Sequence, residues 1–252
     1  MPMRDVYGTS RGDAIGGSST WERNRPMAVV IVVFAVLGGV ATLVLAAALD
    51  FDLVAAGHFG SLFDRGAPAV ELLRWGGLLD TASYVVFGVV ILYVGERLRQ
   101  RDRFIVGLLT ASGVAATLVG AIGAVLLATV GPALLTDYAA APDSTRNAAR
   151  LALDALGRGV AAGLWGTLEL GLLGAWLLGI GWVLRRESRR FAGLALLSGI
   201  GFLASSVRTG LTGRILVEVA GPVDLVVVLA ITTSLGLLFA LLLWLAVILW
   251  RG

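Results

Sequence analysis

The sequence predicts an all-α, polytopic membrane helix bundle with six transmembrane helices. The chain of 252 residues is 58% hydrophobic and only 15% charged, whereas a soluble domain is about 25% charged. Its mean hydropathy is +0.89. Six apolar stretches have the length of about 20 residues that a helix needs to cross a bilayer core of about 30 Å.

Six stretches are predicted to span the membrane, and no proline lies inside them. Pro26 and Pro222 directly precede spans, where a missing N–H costs least, and Pro132 follows the third span and is expected to end that helix. The spans are Met27–Leu49, Gly76–Gly95, Phe104–Gly131, Gly159–Leu184, Phe191–Thr212 and Val223–Trp250.

The chain divides into residues 1–26, a polar, Gly/Ser-rich tail expected to be disordered and cytoplasmic, and residues 27–252, the six-helix transmembrane domain. The first span is too long for the apolar core of a signal peptide and is interpreted as an uncleaved anchor.

The arginines predict the orientation of the chain. All 20 basic residues are arginine, and 13 of them fall in the N-terminal tail, the second loop, the fourth loop and the C-terminus. The positive-inside rule therefore places both termini in the cytoplasm. An Arg-only chain rich in Ala, Gly, Leu and Val is typical of a high-GC bacterium, so the expected location is a bacterial cytoplasmic (inner) membrane, crossed several times. Because the arginines stand in short clusters between apolar spans, the expected partner is the lipid bilayer rather than nucleic acid.

Residue types that the chain lacks exclude several chemistries. There is no Cys, a single His (His58) and no Lys, which excludes disulfides, thiolate or multi-histidine metal sites, and a retinal Schiff base. No phosphate-binding loop or dinucleotide fingerprint occurs. We therefore expect no cofactor and no metal, we assign no catalytic residue, and we interpret His58 as a solvated loop residue.

Two outer loops are expected to hold structure of their own. Residues 50–75 are compatible with a short re-entrant or surface helix. Residues 144–158 form an amphipathic pattern, with Arg146, Arg150, Asp154 and Arg158 on one stripe. They predict either a helix at the outer interface or a stalk leading into the fourth span, with Ser144 as its N-cap.

An internal repeat relates two hairpins. LRQRDRFIVGLLTASGV, from Leu98, matches LRRESRRFAGLALLSGI, from Leu184, at a constant offset, including Gly113 and Gly199. The second and third spans are therefore a possible parallel copy of the fourth and fifth. Similar composition of arginine-rich turns is the alternative explanation.

Small residues recur every four positions in three spans and predict close helix packing. Packing within one bundle is the first interpretation, and a homodimer face is the alternative. The stripes are Ser112, Ala116, Gly120, Ala124 and Ala128 in the third span, Gly159, Gly163, Thr167 and Gly171 in the fourth, and Gly201, Ser205, Thr209 and Gly213 in the fifth.

Polar residues inside four spans predict one candidate site. Ionisable side chains in a membrane face partners or cavities, and at 1.5 Å per residue Asp80, Glu169 and Arg208 all lie about 24–26 Å from the cytoplasmic side. The candidate site residues are Asp80, Tyr84, Glu169, Arg208, Thr232, Thr233 and Ser234, with Trp165 one turn from Glu169.

The predicted centre of this layer is a Glu169–Arg208 ion pair, because the short turn between the fourth and fifth spans makes them antiparallel neighbours. The first hypothesis is a non-enzymatic accessory or interaction subunit that uses the pair as a structural lock between helices, with a membrane-protein partner or a second copy. The alternative is a transporter or binding protein for a small solute or a lipid headgroup, using an outward-facing polar layer. A lipid-modifying enzyme is the third hypothesis, since two carboxyl groups can do acid–base work.

The stretch LWGTLELGLLGAWLLGIGWVLRRESRRFAGLALLSGIGFLASS, Leu164 to Ser206, resembles a hairpin of an uncharacterised bacterial family of six-helix integral membrane proteins of unknown function. The shared pattern is a Gly-rich helix, a short basic turn and a helix that opens with Leu and Gly. This chain departs from it by having no proline in the turn. The resemblance implies a six-span cytoplasmic-membrane protein and assigns no functional residue.

Overall fold

The computed structural model describes residues 24–49, 62–63, 65–186, 188–213 and 222–251. Within these ranges the chain forms seven α-helices and one π-helical segment. They are α1 (Arg25–Ala48), α2 (Ala67–Leu98), α3 (Arg103–Ala140), α4 (Asp143–Arg158), π1 (Gly159–Glu169), α5 (Leu170–Leu184), α6 (Arg189–Thr212) and α7 (Pro222–Arg251). The predicted tail up to residue 23 and His58 lie outside the described residues.

The predicted all-α bundle with six membrane-spanning helices is confirmed. Six helical stretches of the described chain are long and apolar enough to cross a membrane, the fourth being the continuous run of α4, π1 and α5 from Ser144 to Leu184. Residues 144–158 were interpreted either as a helix at the outer interface or as a stalk. Because this amphipathic helix continues directly into the fourth span, it is a stalk.

The helices pack in chain order, and the first and last of them also contact each other. Each consecutive pair of spans is in contact, and α3 also packs on π1 and α5. The backbone N–H of Asn24 donates to the carbonyl oxygen of Leu249 at 2.8 Å. This hydrogen bond joins the start of α1 to the end of α7, so the spans form a closed ring.

Three boundary predictions are wrong. Residues 67–75, expected in an outer loop, are the first turns of α2, and Pro68 stands in its first turn, where its missing N–H is harmless. Pro132 does not end the third span, because α3 continues to Ala140 with Pro132 buried inside it. In a membrane bundle the packed neighbours can hold such a helix together. The cap of α4 is Pro142, not Ser144, so that helix begins without a side-chain cap.

The two hairpins of the predicted repeat have matching ends. α2 ends at Leu98 and α5 at Leu184, while α3 begins at Arg103 and α6 at Arg189. The N-caps occupy equivalent positions: the Asp102 carboxylate accepts from the N–H of Ile105 at 2.9 Å, and the Ser188 hydroxyl accepts from the N–H of Phe191 at 3.3 Å. The sequence match therefore corresponds to the same turn built twice, and a true duplication stays a prediction.

Glycines bring the helices of each hairpin close together. A Cβ added to Gly77 of α2 would lie 2.7 Å from the carbonyl oxygen of Ala124 and 2.8 Å from the Cβ of Ala128, both in α3. Between α5 and α6, a Cβ on Gly174 would lie 3.0 Å from the carbonyl oxygen of Gly199. The small-residue stripe of the third span thus packs inside the bundle, as predicted, since Ala116, Gly120, Ala124 and Ala128 are buried.

The fourth-span stripe behaves differently at its outer end. No atom lies within 4 Å of a Cβ added to Gly159 or Gly163, whereas one added to Gly171 would meet the Ser206 hydroxyl at 2.9 Å. Only the inner part of that stripe packs on α6.

The apolar core is divided into two clusters along the bundle axis. The larger one contains Phe34, Phe87 and Trp176, with Phe34 stacked on Phe87 at 4.6 Å and Phe87 edge-on to Trp176 at 6.1 Å. The smaller one contains Leu73 and Leu127, nearer the opposite end of the bundle. Between the two clusters lies a layer of the bundle whose residues belong to neither of them.

Gly77→Ala is expected to destabilise the protein by about 1–3 kcal/mol, because the added Cβ meets α3 backbone that cannot move aside cheaply. Gly39→Ala is the matched control, since its Cβ would meet nothing within 4 Å and alanine favours helix by up to about 1 kcal/mol. Unfolding in mixed micelles with increasing SDS measures both. Equal effects of the two substitutions would contradict the close α2–α3 contact.

Candidate functional site

A hydrogen bond between Tyr84 and Glu169 connects two helices at the level between the two apolar clusters. The Tyr84 hydroxyl of α2 lies 2.9 Å from both Oε1 and Oε2 of Glu169, the last residue of π1. The two residues are 85 positions apart in sequence. One donor thus serves both oxygens of the carboxylate across the bundle.

Gly120 of α3 determines where the Tyr84 ring lies. A Cβ at Gly120 would be 2.7 Å from Cδ1 of Tyr84, so only glycine leaves room for the ring against this helix. The indole N–H of Trp165 donates to the carbonyl oxygen of Gly120 at 3.1 Å. Trp165 itself lies over Gly123, whose added Cβ would be 2.5 Å from the indole nitrogen. The two aromatic rings therefore pack on two glycines that lie three residues apart on α3.

Asp80 belongs to the interior of the bundle. It shares a heptad-spaced stripe of α2 with Leu73, Phe87 and Val94, and these three are buried at 2%, 4% and 2% exposure. Asp80 lies close enough to Glu169 and Tyr84 for its charge to act on both. On its own helix, the Ser83 hydroxyl donates to the Asp80 carbonyl at 2.8 Å and approaches its carboxylate at 3.4 Å.

We call Asp80, Tyr84 and Glu169 the acidic cluster. All three side chains are partly exposed, although the apolar stripe members around Asp80 are fully buried. The cluster interrupts the core on three elements. The apolar residues that flank it are Leu73 and Phe87 on α2, Leu127 and Ala116 on α3, and Trp165 and Leu170 on π1 and α5.

The predicted ion pair between Glu169 and Arg208, both of which the structure describes, is wrong. The hydrogen bonds of the Glu169 carboxylate go to Tyr84, and the salt bridges within the described ranges do not include Glu169. Arg208 is 8% exposed and follows Gly201 by seven residues on the same helix stripe. That stripe lies against α7, because a Cβ on Gly201 would meet the Ala230 carbonyl oxygen at 3.1 Å.

A different face of α6 packs on π1. The Ser206 hydroxyl donates to the carbonyl oxygen of Thr167 at 2.7 Å, and a Cβ on Gly166 would lie 2.8 Å from the Thr209 methyl group. The antiparallel hairpin was therefore predicted correctly, but small residues rather than an ion pair form the contact.

The Thr/Ser triplet of α7 is not brought to the acidic cluster. Thr232 and Thr233 are exposed. Ser234 is 2% exposed and donates its hydroxyl to the carbonyl oxygen of Ala230 at 2.7 Å. It packs against Gly201, so it belongs to the α6–α7 interface.

Of the seven candidate residues, Asp80, Tyr84 and Glu169 come together. Sequence reasoning missed Gly120 and Gly123 as the seats of the aromatic rings. The signal was present, since Gly120 was part of the predicted packing stripe of the third span. In the part of the chain that the structure describes, no group of three His, Cys, Asp or Glu side chains is placed to hold a metal ion.

Comparison with known proteins finds no matching family model, no similar curated protein and no similar solved structure. The resemblance of the α5–α6 hairpin to a six-helix family therefore stays a prediction from the sequence.

A double-mutant cycle of Tyr84→Phe and Glu169→Leu is expected to show a coupling free energy of about 0.6–1.7 kcal/mol, the range measured for hydrogen bonds between transmembrane helices. The matched control is Tyr93→Phe with Glu169→Leu, because the Tyr93 hydroxyl accepts from Arg97 at 3.2 Å instead. Unfolding in mixed micelles gives each free energy. Additive effects in the first cycle would show that the bond does not hold the two helices together.

Proposed function

We propose that this chain is a membrane protein that binds a small organic cation at the acidic cluster. The observation that carries the proposal is the Glu169 carboxylate, which lies inside the bundle beside a second carboxyl group, Asp80. The partners described for Glu169 are the Tyr84 hydroxyl and the Asp80 charge, and neither is a cation.

The energetics of a membrane interior favour such an occupant. A carboxylate at membrane depth is expensive, and ionisable groups there mark solute or ion pathways. One hydroxyl donor satisfies only part of the acceptor capacity of a carboxylate. A bound cation would compensate the charge of both acidic side chains, and neither Asp80 nor Glu169 is fully buried.

The aromatic rings favour an organic cation over a bare metal ion. Tyr84 packs on Gly120 and Trp165 on Gly123, and the faces of Tyr and Trp rings attract ammonium groups. Carboxylates combined with aromatic faces are typical of quaternary and primary ammonium recognition. The expected ligand class is therefore a small amine or quaternary ammonium compound.

Equilibrium dialysis of the detergent-purified protein against radiolabelled tetramethylammonium, tetraethylammonium and ethylammonium tests the proposal. At least one of the three is expected to bind, and Glu169→Gln and Asp80→Asn should each weaken that binding about tenfold or more, the magnitude of a lost charged contact.

Glu96→Gln is the matched control, because Glu96 is an exposed carboxylate paired with Arg99 at 3.2 Å and its side chain is 72% exposed. It should bind as the unaltered protein does. Binding of none of the three cations, or equal loss in Glu96→Gln and Glu169→Gln, would overturn the proposal.

A structural lock is the second candidate function, and the Tyr84–Glu169 hydrogen bond favours it. In this alternative the chain is a non-enzymatic accessory or interaction subunit, and the bond fixes α2 against π1. Glu169→Gln separates the two candidates, since glutamine keeps an acceptor for Tyr84 but loses the charge. A lock predicts that neither the unaltered protein nor this variant binds the three cations, whereas a cation site predicts binding that this variant loses.

We also propose that the protein resides in a bacterial cytoplasmic membrane with both termini inside. The support is the arginine distribution, since four arginines lie in or next to each of the α2–α3 and α5–α6 turns, which the positive-inside rule places in the cytoplasm.

The chain contains no cysteine, so single cysteines report this orientation cleanly. A membrane-impermeant maleimide is expected to label Asn147→Cys, exposed on α4, in intact cells. Gln100→Cys, exposed in the α2–α3 turn, should be labelled only after permeabilisation. The reverse labelling pattern would contradict the orientation.

A further inference from the structure

An apolar groove runs along the outside of the bundle between α1 and α7. It has a volume of about 690 Å³. Ala28 and Ala246 form its floor, at 2% and 5% exposure. Its walls are mostly exposed aliphatic side chains, and Trp250 stands at its end: Val29, Val32, Val33, Leu243, Val247 and Trp250.

A positive charge lies at that end of the groove. Arg25 is exposed, and its guanidinium carbon lies 5.3 Å from the centre of the Trp250 ring. This is also where Asn24 bonds to Leu249 and joins the first and last spans. The tryptophan and arginine at the end of two spans are typical of the membrane–water interface.

We propose that this groove binds an anionic glycerophospholipid, with part of an acyl chain along the aliphatic walls and the phosphate on Arg25. Charge complementarity identifies the occupant, because it must be apolar within the groove and negative at its end. Basic sites between transmembrane helices bind anionic headgroups in this way. The inference is independent of the acidic cluster, which lies inside the bundle.

The α7 wall of the groove extends from Leu243 to Trp250, which is about 10 Å of helix. Ten ångströms suits the part of an acyl chain that adjoins its headgroup. Exposed aliphatic side chains continue beyond the groove along α1, at Val36, Val40 and Leu43. A second copy of the chain packed on that longer face is the competing occupant, and it is an outcome of the test.

Native mass spectrometry of the full-length protein in detergent, titrated with phosphatidylglycerol or phosphatidylcholine of identical acyl chains, tests the proposal. The protein is expected to retain one phosphatidylglycerol molecule about tenfold more strongly than phosphatidylcholine. Arg25→Gln should remove that preference, and Arg190→Gln, an exposed arginine of α6 away from the groove, should keep it.

A second variant keeps the test valid if Arg25 affects folding. Val32→Phe, at a wall position that is 45% exposed, should fill the groove and lower retention of phosphatidylglycerol about tenfold, whereas Val125→Phe, 41% exposed on α3, should not. Equal retention of the two lipids, no retained lipid, or a dimer that Val32→Phe dissociates would each overturn the proposal.

Discussion

The close approach of helix backbones is the constraint on which the rest of this structure depends. Lipid gives no hydrophobic drive for one helix to pack on another, so contact area between backbones has to supply the attraction. Gly77, Gly120 and Gly174 each face a neighbour that leaves no room for a Cβ. Gly120 also determines the position of the Tyr84 ring, which lies in the space that a Cβ at residue 120 would occupy.

With its ring packed on Gly120, Tyr84 makes a polar contact in the middle of an apolar core. The Tyr84–Glu169 hydrogen bond lies between two separate apolar clusters. An uninterrupted core would bury more apolar contact and would avoid the cost of placing carboxyl groups at membrane depth. The sequence instead keeps Asp80, Tyr84 and Glu169 together, and none of the three is fully buried.

The spans and their order could be predicted because length and hydropathy alone determine them. Depth was predictable as well, since a rise of 1.5 Å per residue brings Asp80 and Glu169 to one level. The side of each helix on which a polar side chain lies could not be predicted. Arg208 lies on the α6 stripe of Gly201, which faces α7, and the turn between α5 and α6 carries no information about that rotation. The end of α3 was wrongly predicted at Pro132, because packed neighbouring helices in a membrane bundle tolerate a proline inside a helix.

Glu169 closes an eleven-residue segment of π-helix, and this winding has a mechanical consequence. In a π-helix each N–H reaches back five residues rather than four, so the segment turns less per residue than the α-helices on either side. Exchange of these hydrogen bonds for α-type ones would rotate the Glu169 carboxylate about the helix axis while the ladder stays continuous. The direction in which the Glu169 carboxylate points is therefore determined by the winding of the π-helical segment that ends at this residue.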